Sequence, residues 1–179
     1  MLEIDNTALL LVDVQGSLAA AMHDQAVLIR NLARLVRIVQ ILEMPIVWVE
    51  QTPEKLGRTV QELRRFMGRL EPMSKACFSC GDSPEVMSRL QELGRQQVLL
   101  AGIETHVCIY QTAVALIDAG YHVEVVADAV SSRAETNVRT GLRKIRDHGG
   151  ILTSVETAVF ELLRTSKHPS FRSVLDIVK

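Results

Sequence analysis

The sequence predicts an α/β fold, a three-layer α/β/α sandwich around a mainly parallel central sheet. Short runs rich in Val, Ile and Leu recur at Thr7–Asp13, Pro45–Glu50, Gln97–Gly102, His122–Asp128 and Ile151–Ser154. They are nearly continuous rather than alternating, which is the pattern of strands buried on both faces. Longer stretches of helical period lie between them. Alternation of strand and helix builds βαβ units, and these put helices on both faces of a parallel sheet.

The helices follow from stripes and caps. In Gln25–Glu43, Leu28, Leu32, Leu35, Val36, Val39 and Leu42 fall on one stripe, while Arg30, Arg34 and Arg37 fall on another face. Ser83-Pro84 reads as N-cap and first residue of a helix ending near Gly94. Thr105–Ala119 is a further helix, with Thr105 as N-cap and Gly120 closing it. Ser132 and Glu135 have capping-box spacing, and their helix stops at Gly149-Gly150. Two more helices, Val155–Arg164 and Ser170–Val178, end the chain. No repeat, low-complexity tract or linker divides the 179 residues, so residues 1–179 read as one domain.

Composition narrows the function classes. Apolar residues make up 47% and charged residues 23%, which excludes intrinsic disorder. A net charge of −1 argues against a nucleic-acid or anionic-membrane partner held by bulk charge. One Trp, two Tyr and four Phe are too few for a base-stacking platform. No apolar run approaches a membrane span. The opening MLEIDNT has no basic region followed by an apolar stretch, so no secretory signal is expected. Three cysteines make a disulfide scaffold an unfavourable reading and a cytoplasmic location the expected one.

In parallel α/β sheets, ligands bind beyond the carboxyl ends of the strands. That rule singles out Asp13, Gln15, Glu50, Gln51, the Ile103–Cys108 turn and Asp128. Cys108 falls in the first turn of its helix, where free N–H groups and the positive dipole end favour a thiolate and could hold an oxyanion. A small apolar residue packed under the helix is the plain alternative. Asp13 ends a buried strand, where partial desolvation suits a carboxylate to accept a thiol proton; turn or cap duty is its alternative. Nothing local marks Lys75, which gains a role only if the fold brings it to Asp13 and Cys108. Cys77 and Cys80 form a CxxC pair, but the helix-start signal Ser83-Pro84 comes after it, and no second CxxC supplies zinc ligands. The five histidines are scattered, with no metal-binding spacing; His106 could line the site or simply occupy a turn.

Three motifs in order, ALLLVDVQ (Ala8–Gln15), the lysine of SKACFS and AGIETHVCIYQTA (Ala101–Ala113), resemble the isochorismatase-like cysteine hydrolase family. The stretches VEQTPEKLGRTV, VVADAVSSR and HPSFRSVLDIVK look closest to its isochorismatase-domain-containing branch. The resemblance implies an Asp–Lys–Cys triad of Asp13, Lys75 and Cys108. It also implies a non-proline cis peptide at Ile103–Glu104 and an oxyanion hole from the backbone N–H groups of Glu104 and Cys108. Gln15, Glu50, Gln51, Phe78 and Ile103 are expected to line the pocket, by position alone.

Two departures from family patterns bear on substrate. Metal-binding members carry Asp-x-His plus a later His. Here that place reads Glu50-Gln51-Thr52, and no histidine lies between His23 and His106. No metal and no organic cofactor are therefore expected. True isochorismatases typically lack the cysteine, so Cys108 favours hydrolysis of a carbon–nitrogen bond. The expected function is hydrolysis of a small amide, ureide or carbamoyl-type substrate, by a chain that forms homo-oligomers as family members usually do. The alternatives are a thiol redox or sensor protein using Cys108 or the Cys77/Cys80 pair, and a catalytically idle interaction protein.

Overall fold

The computed structural model describes residues 1–179. Six parallel strands form one sheet: β1 (Thr7–Val12), β2 (Ile46–Gln51), β3 (Met73–Lys75), β4 (Gln97–Ile103), β5 (His122–Ser131) and β6 (Ile151–Thr153), in the spatial order β3-β2-β1-β4-β5-β6. The helices are α1 (Gly16–Ala20), α2 (Gln25–Ile41), α3 (Pro53–Leu56), α4 (Gln61–Arg64), α5 (Pro84–Glu92), α6 (Tyr110–Asp118), α7 (Glu135–Asp147), α8 (Val155–Leu163) and α9 (Phe171–Val178). None is long and apolar enough to cross a membrane.

Strand alternation sorts the core into two layers. Leu9, Leu11, Trp48, Leu99 and Ala101 pack with α2, α8 and α9 on one face of the sheet. Leu10, Val12, Val47, Val49 and Leu100 pack with α5, α6 and α7 on the other. All six residues of β1 are buried, which explains its unbroken apolar run. Each aliphatic side chain so buried contributes about 1.5–3 kcal/mol.

The strand order reverses at β1. The chain builds outward through β2 and β3, then returns to the other side of β1 with β4. The crevice between the carboxyl ends of β1 and β4 is thus the place where such sheets bind ligands. Gly102 lets those ends close together: its φ is +128°, and a Cβ there would lie 2.0 Å from the Val12 carbonyl oxygen. Gly141 on α7 does the same beyond β4, since a Cβ would lie 2.7 Å from the Thr105 carbonyl oxygen.

One strand, β3, is absent from the sequence reading, since only one of its three residues is apolar. Three local expectations are corrected. Thr105 is not an N-cap; it opens a π-helical turn, Thr105–Ile109, that runs into α6, and its buried hydroxyl has no hydrogen-bond partner. Ser132 forms no capping box, because α7 starts at Glu135 after Ala134 and the Ser132 hydroxyl meets His106 Nδ1 at 2.9 Å. Asp128 lies in a bulge of β5, where its Oδ1 accepts from the Val155 N–H at 2.9 Å, so it caps α8. Ser83 does cap α5, with Pro84 as its first residue.

Gly102→Ala is expected to lower stability by about 3 kcal/mol or more, because the new Cβ meets rigid backbone. Gly94→Ala, at a positive φ but in open space, should cost only about 1 kcal/mol. Urea unfolding of both variants checks this. Equal losses would mean that the approach of β4 to β1 does not fix this end of the sheet.

Candidate active site

Asp13 leaves β1 with φ +57°, a left-handed conformation that Asp tolerates better than most residues. Its N–H still donates to the Val49 carbonyl at 3.1 Å, so the strand ladder holds the reversal in place. Lys75 arrives from β3, where Val49, Glu50 and Gln51 are the register partners of Met73, Ser74 and Lys75. Its Nζ donates to Asp13 Oδ2 at 2.7 Å, Gln51 Oε1 at 2.6 Å and the Cys77 carbonyl at 3.1 Å. These use all three ammonium protons. The pair is sealed, with side chains 0% and 2% exposed. Gln51 is itself fixed, through its Nε2 on the Ala76 carbonyl at 2.7 Å.

Cys108 comes from the π-helical turn after β4 and is 8% exposed. The helix-start placement leads one to expect a lowered thiol pKa, and the structure reverses that. Burial first, then the charge of Asp13, push Cys108 from 9.0 up to about 12, against the opposing pull of Lys75. At neutral pH the proton is on sulfur. Asp13 is also raised above the ordinary carboxylate range, by burial, with Lys75 pulling it back. Asp13 Oδ1 is sealed from solvent and makes no hydrogen bond of normal geometry, Oδ2 is taken by Lys75, and the Cys108 thiol is the neighbour that interacts with the carboxylate.

The peptide bond between Ile103 and Glu104 is cis. The Glu104 N–H has no acceptor. The Glu104 side chain is held by Arg133, whose N–H and Nε donate to Oε2 at 3.1 and 3.3 Å. Sequence reasoning missed Arg133, and only its place after β5 signals it.

A pocket of about 100 Å³ opens over these groups. Asp13, Gln51, Glu104 and Cys108 line it on the polar side. Leu18, Leu56, Phe78, Ile103 and Val107 form its apolar walls, with Phe78 56% exposed at the rim. Of the residues expected to line a pocket, Gln51, Phe78 and Ile103 line this cavity, and Gln15 and Glu50 do not. Gln15 does not line the pocket; its amide donates to the Gln51 and Gly57 carbonyls at 3.1 and 2.5 Å and accepts from the Gln51 N–H at 2.6 Å. Glu50 points to the opposite face of β2 and accepts from Thr59. Leu18, Leu56 and Val107 carry no sequence signal beyond being apolar.

All three cysteines are free. Cys80 is fully buried and its thiol is pushed up to about 12, chiefly by burial, which makes it a poor redox partner. His106 is tied to Ser132, away from the pocket lining. No three His, Cys, Asp or Glu side chains converge as a metal site.

The Isochorismatase domain family model matches residues 7–157. Isochorismatase domain-containing protein 2A of Mus musculus is 35% identical over 176 residues, which cover 98% of this chain and 84% of that protein. The solved structure of MAR1 ribonuclease from Caenorhabditis elegans superposes with a TM-score of 0.93 at 34% identity, covering 99% of this chain and 91% of that one. The YcaC gene product of Escherichia coli, described as an octameric hydrolase of unknown specificity, shares the fold with a TM-score of 0.89 at 21% identity, over 98% of this chain and 94% of that one. With the family model spanning most of the sequence and a relative matched along nearly all of it, the chain belongs to the isochorismatase domain family.

Proposed function

We propose that the protein is a cysteine hydrolase that cleaves the carbon–nitrogen bond of a small uncharged amide-type substrate. The observation that carries this reading is Asp13 Oδ1. This sealed oxygen makes no hydrogen bond of normal geometry, and the carboxylate's neighbour is the Cys108 thiol, which keeps its proton and interacts with it. Such an oxygen serves a group that needs to lose a proton during reaction.

Cys108 Sγ attacks the substrate carbonyl carbon while its proton passes to Asp13 Oδ1. The carbonyl oxygen becomes an oxyanion facing the N–H groups of Glu104 and Cys108. As the intermediate collapses, the carbon–nitrogen bond breaks and the leaving nitrogen takes the proton from Asp13. A thioester remains on Cys108. Water attacks it, Asp13 accepts the water's proton and returns it to sulfur, and the acid departs. Lys75 keeps Asp13 ionised between these transfers.

The pocket supports the substrate class. Its walls are apolar, and the only charges at its base are already paired with each other or with Arg133. A charged substrate would lose its water without a counterion. At about 100 Å³ it lies well under the about 300–1,000 Å³ of pockets that hold drug-sized ligands. It therefore suits a propionamide- or isobutyramide-sized molecule and not a nucleotide, whatever the worm relative's ribonuclease name says of that protein.

The test follows ammonia release from propionamide and isobutyramide, with intact-mass detection of an acyl adduct. Cys108→Ser is expected to abolish both signals. Asp13→Asn, which suits the left-handed backbone, should lower kcat/KM by about 10²–10⁴-fold. The same variant should move Cys108 alkylation to lower pH, because the carboxylate that opposes the thiolate is gone. The wild-type acid limb should lie above the ordinary carboxylate range, with activity falling as pH drops and Asp13 gains its proton. Turnover by Cys108→Ser, or an alkylation profile indifferent to Asp13→Asn, would sink this mechanism.

Lys75→Met leaves a buried carboxylate unpaired and should cost about 3–5 kcal/mol. Adding Asp13→Asn removes the stranded charge, so the double variant should be the more stable of the two in urea. A double variant no more stable than Lys75→Met would show that the ion pair does not hold this end of the sheet.

A further inference from the structure

Two cavities flank the carboxyl ends of β2 and β3, one on each face of the sheet. Successive side chains along a strand point to opposite sides. The register partners Gln51 and Lys75 face the active site. Their predecessors Glu50 and Ser74, also partners, line a separate cavity of about 550 Å³ on the other face. Trp48, Arg58 and Arg64 also line this cavity.

This cavity holds unmatched polar capacity of both signs. Glu50 is 4% exposed. Its Oε1 accepts from the Thr59 N–H at 2.7 Å and from the Thr59 hydroxyl at 2.8 Å. Its Oε2 accepts no hydrogen bond, yet it is not among the side-chain atoms sealed inside the protein. Trp48 Nε1 donates to Thr59 Oγ1 at 2.9 Å, so the indole orients the threonine and leaves the carboxylate alone. Arg58 and Arg64 are both exposed and neither makes an ion pair, so their guanidiniums stand in water within reach of a ligand, although Glu54 and Glu71 also line the cavity. A mostly buried carboxylate with one free oxygen calls for an N–H donor. Unpaired guanidiniums call for a carboxylate, which they grip with two parallel bonds.

We propose that this cavity binds a small zwitterion, an amino-acid-like molecule whose ammonium group meets Glu50 Oε2 and whose carboxylate meets Arg58 and Arg64. The assignment is independent of the hydrolase reading, because none of these residues lines the Cys108 pocket. It does bear on that pocket. Thr59, which holds Glu50, lies three residues from Leu56, and Leu56 is one of the pocket's walls.

Ligand-observed NMR with β-alanine and 4-aminobutyrate tests the proposal, with propylamine and propionate as single-charge controls. At least one of the two amino acids is expected to bind more tightly than either control. Glu50→Gln and Arg64→Gln should each weaken it about tenfold, the loss of one charge-assisted hydrogen bond. Cys108→Ser should leave binding unchanged. Arg64 is exposed, so Arg64→Gln reports even if Glu50→Gln fails to fold. The proposal is overturned if neither amino acid binds at millimolar concentration, if the single-charge controls bind equally well, or if binding is lost in Cys108→Ser instead of Arg64→Gln.

Discussion

Lys75 and Asp13 form an ion pair 2.7 Å apart, both side chains almost wholly removed from water. Stripping two ions of water costs several kcal/mol each, and attraction repays that only where the remaining polar atoms are also satisfied. Lys75 meets the condition through Gln51 and the Cys77 carbonyl; Asp13 meets it less well, since Oδ1 makes no hydrogen bond of normal geometry and the carboxylate's other neighbour is the Cys108 thiol. Much of the surrounding structure serves this pair. β3 carries the lysine, the left-handed turn at Asp13 presents the carboxylate, and Gln15 and Ala76 fix the glutamine between them.

The state of the thiol follows from a contest of magnitudes. A helix N-terminus favours an anion by about 0.3–1 kcal/mol, rarely twice that. Burial and the charge of Asp13 push the Cys108 thiol up to about 12 even so, against the pull of Lys75. Burial and the neighbouring carboxylate therefore outweigh the dipole. Cys108 is thus held as a thiol, and the carboxylate beside it bears on its state more than the helix beneath it.

β1, β2 and β4 were legible because a buried parallel strand leaves a nearly unbroken apolar run. β3 was not, because Met73-Ser74-Lys75 owes its conformation to pairing with Val49–Gln51 and carries no pattern of its own. The position of Lys75 was accordingly readable only through family resemblance. Glu50 and Gln51 show a second limit. Both follow the same apolar run, and the rule that ligands sit beyond strand ends selects both. Which of them faces the pocket depends on strand phase at the last two residues, and neither polar side chain declares it. Ser132 misled for a related reason: its hydroxyl had a closer partner in His106, from a helix distant in sequence.

Strand phase also links the two sides of the sheet. The segment Leu56–Val60 is stitched at several points: Gly57 accepts from Gln15, Thr59 binds Glu50, and the Val60 N–H donates to the Val14 carbonyl at 3.0 Å. Leu56 rides on that segment and walls the pocket over Cys108. Leu56 is held by its own N–H on the Thr52 carbonyl at 3.1 Å, and three residues on, Thr59 is bound by Glu50 on the opposite face. On the proposed hydrolase reading, the wall at Leu56 and the Asp13–Lys75–Cys108 cluster rest on different bonds, so the shape of the pocket can vary while the cluster is kept.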